Sequence, residues 1–379
     1  MHKLLAIIAI YLFSGTLLAQ SNVKVFNLSL WNPVATVPYE YDNANLLSVG
    51  LLQSKVNNSY GLNVNLLSGI TTGRMYGLQI SGLHSVIEGA SQGVSFAGLY
   101  NIHKASMSGV AISGLANMNL VNGRGVQLSA VQNICMFNTD GLQISLLMNV
   151  TGQELSGVQV AAGFNVASVS KGVQLAGLVN FSLDHSSGVQ LAAINYATSM
   201  QGVQLGVANF ARRIKGVQVG IINYSADSST VKIGLVSISP HSKIRPIVYY
   251  SNLATFNVGV RFMNRISYSI LGLGTPYDAP RSNSSGVFFY RLGLYHTIGR
   301  VTFSSDVGIS YISKFIEEVD HKALSMEARF NFEVLLNNHI SLLCSGGYSV
   351  SRFFSRKASA QLKPIVEFGL ILPNLLKYK

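Results

Sequence analysis

SKGVQLAGLVNF, residues 170–181, is one copy of a unit that recurs along half the chain: a glycine, an apolar residue, a glutamine, a small or apolar stretch and an asparagine. The lead glycines are Gly61, Gly77, Gly93, Gly109, Gly125, Gly141, Gly157, Gly172, Gly188, Gly202 and Gly216, spaced six times by 16 and then by 15, 16, 14 and 14. Asn45 and Thr230 hold the same phase at either end, so about thirteen units are present. A repeat of this kind governs the fold and is read before anything else.

Strand side chains alternate between two faces. In GLQISLLMNV this puts Leu142, Ile144, Leu146, Met148 and Val150 on one face, and Gln143, Ser145, Leu147 and Asn149 on the other. Variable connectors such as TGQELS, FSLDHSS and ATSMQ separate the blocks. Lys55, Arg74, Glu88, Lys104, Arg124, Asp140, Glu154, Lys171, Asp184, Arg212, Arg213 and Asp227 all fall in connectors. Uncharged strands of nine to eleven residues joined by turns are the pattern of an outer-membrane barrel.

The reading is therefore all-β: an antiparallel barrel of about thirteen repeat strands and about eight longer C-terminal strands. VKVFNLSL at 23–30 would make the number even. Connectors at Glu154 and Lys171 would then emerge on opposite sides of the membrane. Gln127, Gln143, Gln159 and Gln174 would pair with Asn133, Asn149, Asn165 and Asn180 around the lumen rims. Phe181, Tyr196, Phe210 and Tyr224 would sit near the membrane interface.

One feature resists. In the last three glycine-led units the asparagine comes a residue early, placing Asn195, Asn209 and Asn223 on the apolar face unless a bulge resets the phase. The alternative is a β-solenoid, one repeat per coil, followed by a small C-terminal barrel. It explains the constant period, but needs a second apolar strand per coil that SLDHSS and TGQELS do not supply.

The ends and composition give the setting. MHKLLAIIAIYLFSGTLLAQ reads as a secretory signal over residues 1–19, followed by an N-terminal segment at 20–44, the repeat region at 45–240 and barrel strands at 241–379. No cysteine falls in the first thirty residues, against a lipoprotein anchor. The net charge is +12, or +11 without Lys3 (12 minus 1). Behind a signal peptide that excess suits outer-membrane lipid and lipopolysaccharide phosphates rather than nucleic acid. Cys135 and Cys344 lie in apolar runs and read as buried and unpaired.

Beyond residue 240 longer alternating runs take over. TFNVGVRF sets Phe256, Val258, Val260 and Phe262 against Asn257, Gly259 and Arg261, and SMEARFNFEV behaves likewise. Similar runs near 245–252, 265–273, 286–296, 299–312, 338–350 and 360–372 bring the count to eight. A face carrying Arg261, Arg291, Asp306, Glu327, Arg329, Glu333 and Glu367 belongs in a lumen where opposite charges pair. A soluble antiparallel sheet with a solvated polar face is the plainer reading.

SLWNPVATVPYE at 29–40, the GVQLAGLVN-type units, and NVGVRFMNRISYSILGLGTPY followed by GVFFYRLGLY resemble the surface-repeat proteins of Bacteroidota, whose repeats also occur in spirochaete lipoproteins. The likeness covers nearly the whole mature chain. It implies an exported protein of the outer membrane or cell surface of a Gram-negative bacterium, and brings no activity or binding residues with it.

Catalytic signals are sparse. The eight histidines show no metal-ligand spacing. GLGTPY at 272–277 lacks the third glycine and the helix of a nucleotide site. Glu327, Arg329 and Glu333 share a face, a spacing more typical of an ion-pair network than of acid–base chemistry. No serine sits in a GxSxG frame. The expectation is a non-enzyme without cofactor or metal, either a pore-like or structural barrel passing small solutes or a surface scaffold binding glycans, host protein or a partner. The sequence leaves its oligomeric state open.

Overall fold

The structure, a computed structural model, describes residues 23–40, 43–227, 230–240, 242–276, 286–316, 319–337, 339–353 and 360–375. The signal-peptide reading lies outside them. Every element described is a β-strand. A parallel β-solenoid of about twelve turns occupies residues 44–238, and a closed eight-stranded antiparallel barrel follows. The single repeat-built barrel is thus corrected to the solenoid alternative. By contact density the chain forms two compact units, Met1–Ala193 and Ile194–Lys379, with the boundary inside the repeats.

In the first unit the nine-residue block is not one strand. Thr139–Ser145 is a strand, Leu146 and Leu147 turn a corner, and the chain resumes as a strand at Met148. Each coil therefore draws its second strand from within the block, so the connectors need not supply one. A straight strand and a strand–corner–strand have the same hydrophobic pattern up to the turn. They differ in what the residues beyond it face: Leu147 is exposed whereas Asn149 is fully buried.

Coil stacks on coil in parallel and in repeat register, Gly141 opposite Gly157, Gln143 opposite Gln159 and Asn149 opposite Asn165. The glycine column follows from this register. Gly157 has φ of +141°, and a Cβ there would lie 2.0 Å from the carbonyl oxygen of Gly141. VKVFNLSL forms the strand Val23–Trp31, but it pairs parallel with Ala44–Gly50 as the start of the stack rather than closing a wall. The Lys171 ammonium lies 2.8 Å from the Glu154 carboxylate, so successive connectors share one edge instead of alternating sides.

The second unit begins with shorter coils. From the Gly188 coil onward the first strand ends one residue after the glutamine, at Leu191 and then Leu205, instead of two. That shortening restores the phase without a bulge, and Asn195, Asn209 and Asn223 are all buried.

The barrel strands are Lys243–Ser251, Ala254–Met263, Ser267–Pro276, Gly286–Ile298, Val301–Ile316, Val319–Leu335, Ser341–Phe353 and Gln361–Ile371, matching the eight expected runs. Lys243–Ser251 pairs antiparallel with Gln361–Ile371 and closes the ring. Asn257 and Arg261 point in while Phe256 and Val258 point out, as alternation predicts. Cys344, expected buried, lies exposed on the outward face, and Cys135 is buried; both are free thiols.

The last coil meets the outer wall of the barrel. Ser267 Oγ donates to the Lys232 carbonyl at 3.3 Å, Ser269 Oγ to Leu235 at 3.2 Å, and the Tyr290 hydroxyl to Gly234 at 3.0 Å. These hydroxyls satisfy carbonyls that have no further coil to accept from.

Candidate functional site

The barrel interior holds all seven charged residues expected there, each buried. Strand alternation points them inward, and cross-strand register brings Asp306 opposite Arg329. The Arg329 guanidinium donates to Asp306 Oδ1 from Nε at 3.0 Å and Nη2 at 2.7 Å, and from Nη1 to Glu367 at 3.0 Å. Arg291 grips Glu367 with both terminal nitrogens, at 3.1 and 3.0 Å. Glu327 lies 3.3 Å from Arg329 and 3.7 Å from Arg291, and accepts from Ser310 Oγ at 2.6 Å. Arg261 bonds Glu333 as a separate pair.

Four carboxylates face three guanidiniums in this set, a difference of one (4 minus 3). Neutral donors make up the shortfall: Tyr268 and Asn331 each reach Asp306 Oδ2 at 2.7 Å. Aromatic rings cover the guanidinium faces, Tyr268 lying 3.8 Å from Arg261, with Tyr249 and Phe289 each 4.7 Å from Arg291. Sequence reading did not single out Tyr249, Tyr268, Phe289, Ser310 or Asn331. Period-two alternation places them on the inward face, but their lack of formal charge gave no cue.

The interior is tightly packed around Arg291, Glu327 and Glu367. The void beside Arg291, Glu327 and Glu367 measures about 10 Å³, the threshold for holding even one water. GLGTPY lies on the barrel wall as far as it is described: a Cβ at Gly272 would sit 2.2 Å from the Phe289 ring, so this glycine makes room for the aromatic beneath Arg291.

The amide residues form a second polar interior, within the coils and not around the rims of a lumen as expected. Gln143 Nε2 donates to Gln127 at 3.1 Å, Gln159 to Gln143 at 2.8 Å, and Gln174 to Gln159 at 3.0 Å. The asparagines run with opposite polarity: Asn133 donates to Asn149 at 2.9 Å, Asn149 to Asn165 at 3.0 Å, and Asn165 to Asn180 at 3.1 Å. A primary amide both donates and accepts, so it can bond copies of itself indefinitely. That is the physical content of the repeat.

Two departures from the ladder are informative. His103 is wedged inside its coil between Ser91 and Ser95, at 2.9 and 3.0 Å. Lys232 takes the glutamine position of the last coil, opposite Gln218, and its buried Nζ makes no hydrogen bond among the described residues.

A groove of about 810 Å³ runs between the last coil and the barrel's outer wall, lined mainly by apolar side chains including Val231, Ile233, Leu292, Leu294, Val307 and Phe330. Among the described residues no group of three or more His, Cys, Asp or Glu is arranged to hold a metal ion. No protein-family model, curated protein or solved structure matches the chain.

Proposed function

We propose that the protein is an exported, non-catalytic outer-membrane protein in which the barrel anchors rather than conducts, and the solenoid serves as a repeat scaffold. The observation that carries this reading is the contrast across the barrel wall. Inside, the buried ion pair of Arg291 and Glu367 borders a void of only about 10 Å³; outside, Phe256, Val258, Leu273, Val307, Phe330 and Phe368 are exposed. An apolar exterior with a filled interior suits an eight-stranded membrane barrel. The secretory signal and the resemblance to Bacteroidota surface-repeat proteins support the same setting, with lipid and lipopolysaccharide as neighbours.

A conducting pore fits less well, because passage of even a small solute would require the Arg291, Arg329, Glu327 and Glu367 cluster to separate. The test is reconstitution from detergent into vesicles and planar bilayers. The expected result is membrane-integrated protein with heat-dependent gel mobility and no unitary conductance. Steady single-channel currents would overturn the anchor reading, and a protein that stays monodisperse without detergent would overturn the membrane reading.

A further inference from the structure

The solenoid is largely polar within, though Met75, Ile87, Met107 and Leu155 are buried there too, and largely apolar without. In the first unit its interior carries buried Gln127, Gln143, Asn133 and Asn149, whereas Ile112, Ile144, Ile134 and Val150 stand on its outer faces. Water-soluble folds do the reverse. The two faces meet at two edges of opposite character. One edge carries the charges, with Lys104 bonded to Glu88 at 2.7 Å, Arg124 to Asp140 at 3.2 Å and Lys171 to Glu154 at 2.8 Å. The other is the corner, where Leu66, Leu67, Leu83, Leu146, Leu147 and Leu178 are exposed and no Lys, Arg, Asp or Glu occurs; His84, Tyr100 and Gln132 stand beside it.

We infer that this solenoid is itself immersed in the bilayer, with acyl chains against both faces and the leucine corner and with the charged edge at the headgroups. The inference rests on the proposed membrane setting and names the scaffold's partner as lipid.

Three observations carry it. First, beyond the coil that carries Lys55 on its outer face, the surface is largely apolar on three sides and charged on the fourth. A protein partner would cover one face; a bilayer covers two faces and an edge and stops at the fourth side.

Second, the corner backbone is satisfied without water, the requirement for chain exposed to lipid. Leu83 N–H donates to Leu67 at 2.8 Å, Leu99 to Leu83 at 2.7 Å, Leu115 to Leu99 at 2.9 Å and Leu147 to Val131 at 3.0 Å, so the ladder continues around the turn. The buried asparagines take up carbonyls before it, Asn117 donating to Leu128 and Asn133 to Ile144, both at 2.8 Å.

Third, the dimensions and aromatics agree. A seven-residue strand such as Thr139–Ser145 spans roughly 23 Å at about 3.3 Å per residue, close to the apolar band of a membrane barrel. Tyr60 and Tyr76 stack at 5.6 Å between centroids, and Tyr76 follows closely on Arg74 in the connector, where an interfacial aromatic belongs.

The test uses the full chain with Cys135 and Cys344 changed to alanine. Single cysteines replace Ile112, Leu146, Lys104 and, in the barrel wall, Phe330, all outward positions. Each carries an environment-sensitive fluorophore in phosphatidylcholine–phosphatidylglycerol vesicles whose acyl chains are plain or brominated.

Brominated chains are expected to quench Ile112, Leu146 and Phe330 labels at least twofold, while aqueous iodide quenches only the Lys104 label. Bromine quenching at Phe330 with iodide quenching at Ile112 and Leu146 would overturn the inference and leave the anchor standing. Iodide quenching at all four would overturn both. Ile112 and Leu146 labels shielded from both quenchers, with Phe330 reached by bromine, would place protein against the solenoid and overturn the lipid assignment alone.

Discussion

The coil interior and the barrel interior are two answers to one problem, a β-structure with polar side chains inside and apolar ones outside. The coils use neutral amides: Gln159 accepts from Gln174 while it donates to Gln143, and any coil can follow any other. The barrel uses charges that cannot be interchanged, since Arg329 touches Asp306, Glu327 and Glu367 together. A ladder of self-complementary groups extends by repetition and needs no particular partner. An ion-pair cluster is closed, each member fixed by several others, so removing one member leaves the rest of the cluster unbalanced. The difference sets how far damage spreads in each region.

The largest effect should come from the closed network. Arg329→Leu leaves Asp306, Glu327 and Glu367 deprived of a shared buried cation, at a cost of about 3–5 kcal/mol. Loss of heat-dependent gel mobility reports it; an unchanged barrel would mean the cluster is not structural.

Next comes a matched pair that tests whether the two exteriors are equivalent. Phe330→Arg in the barrel should cost about 2–4 kcal/mol if the wall meets the bilayer midplane, and Leu175→Arg in the solenoid as much if its face also meets lipid. Denaturant midpoints in vesicles measure both. Tolerance of arginine at residue 175 with intolerance at 330 would separate the two exteriors.

Gln159→Leu interrupts the amide ladder and orphans its neighbours Gln143 and Gln174, costing about 1–3 kcal/mol for each group left unpaired. The emission of Trp31, the chain's single tryptophan, followed through denaturation reports on the unit that contains it. The smallest effect is expected at the charged edge. Glu154→Gln removes an exposed ion pair with Lys171 and should shift stability by about 0.2–1 kcal/mol, less at high salt. A larger loss, seen in the same Trp31 unfolding curve, would show that the edge pairs hold the coils in register.

Much of the barrel was legible because its grammar is local. Alternation in TFNVGVRF and SMEARFNFEV put Arg261, Glu327, Arg329 and Glu333 on one face, and they lie buried together inside the wall. The uncharged members, Tyr268, Asn331 and Ser310, lay on the same face but carried no signal apart from their phase. In the solenoid the repeat, its uncharged blocks and the apolar face could all be read. The corner at Leu146 and Leu147 could not, because alternation records which side a residue takes and not whether the chain has turned between two of them.

The sequence alone determined a β-protein with a glycine-led period, paired amides, charges confined to connectors and eight C-terminal strands with a charged face. Tertiary structure decided that the amides pair with their own copies one repeat away, as Asn149 does with Asn165, rather than across an antiparallel neighbour. The reason is geometric. A 16-residue period returns identical groups to the same place only if the chain travels once around a coil, and the uncharged two-residue corner that makes this happen, glycine-led at Gly82, Gly98 and Gly114, lies inside an apolar block where alternation alone does not mark it as a turn.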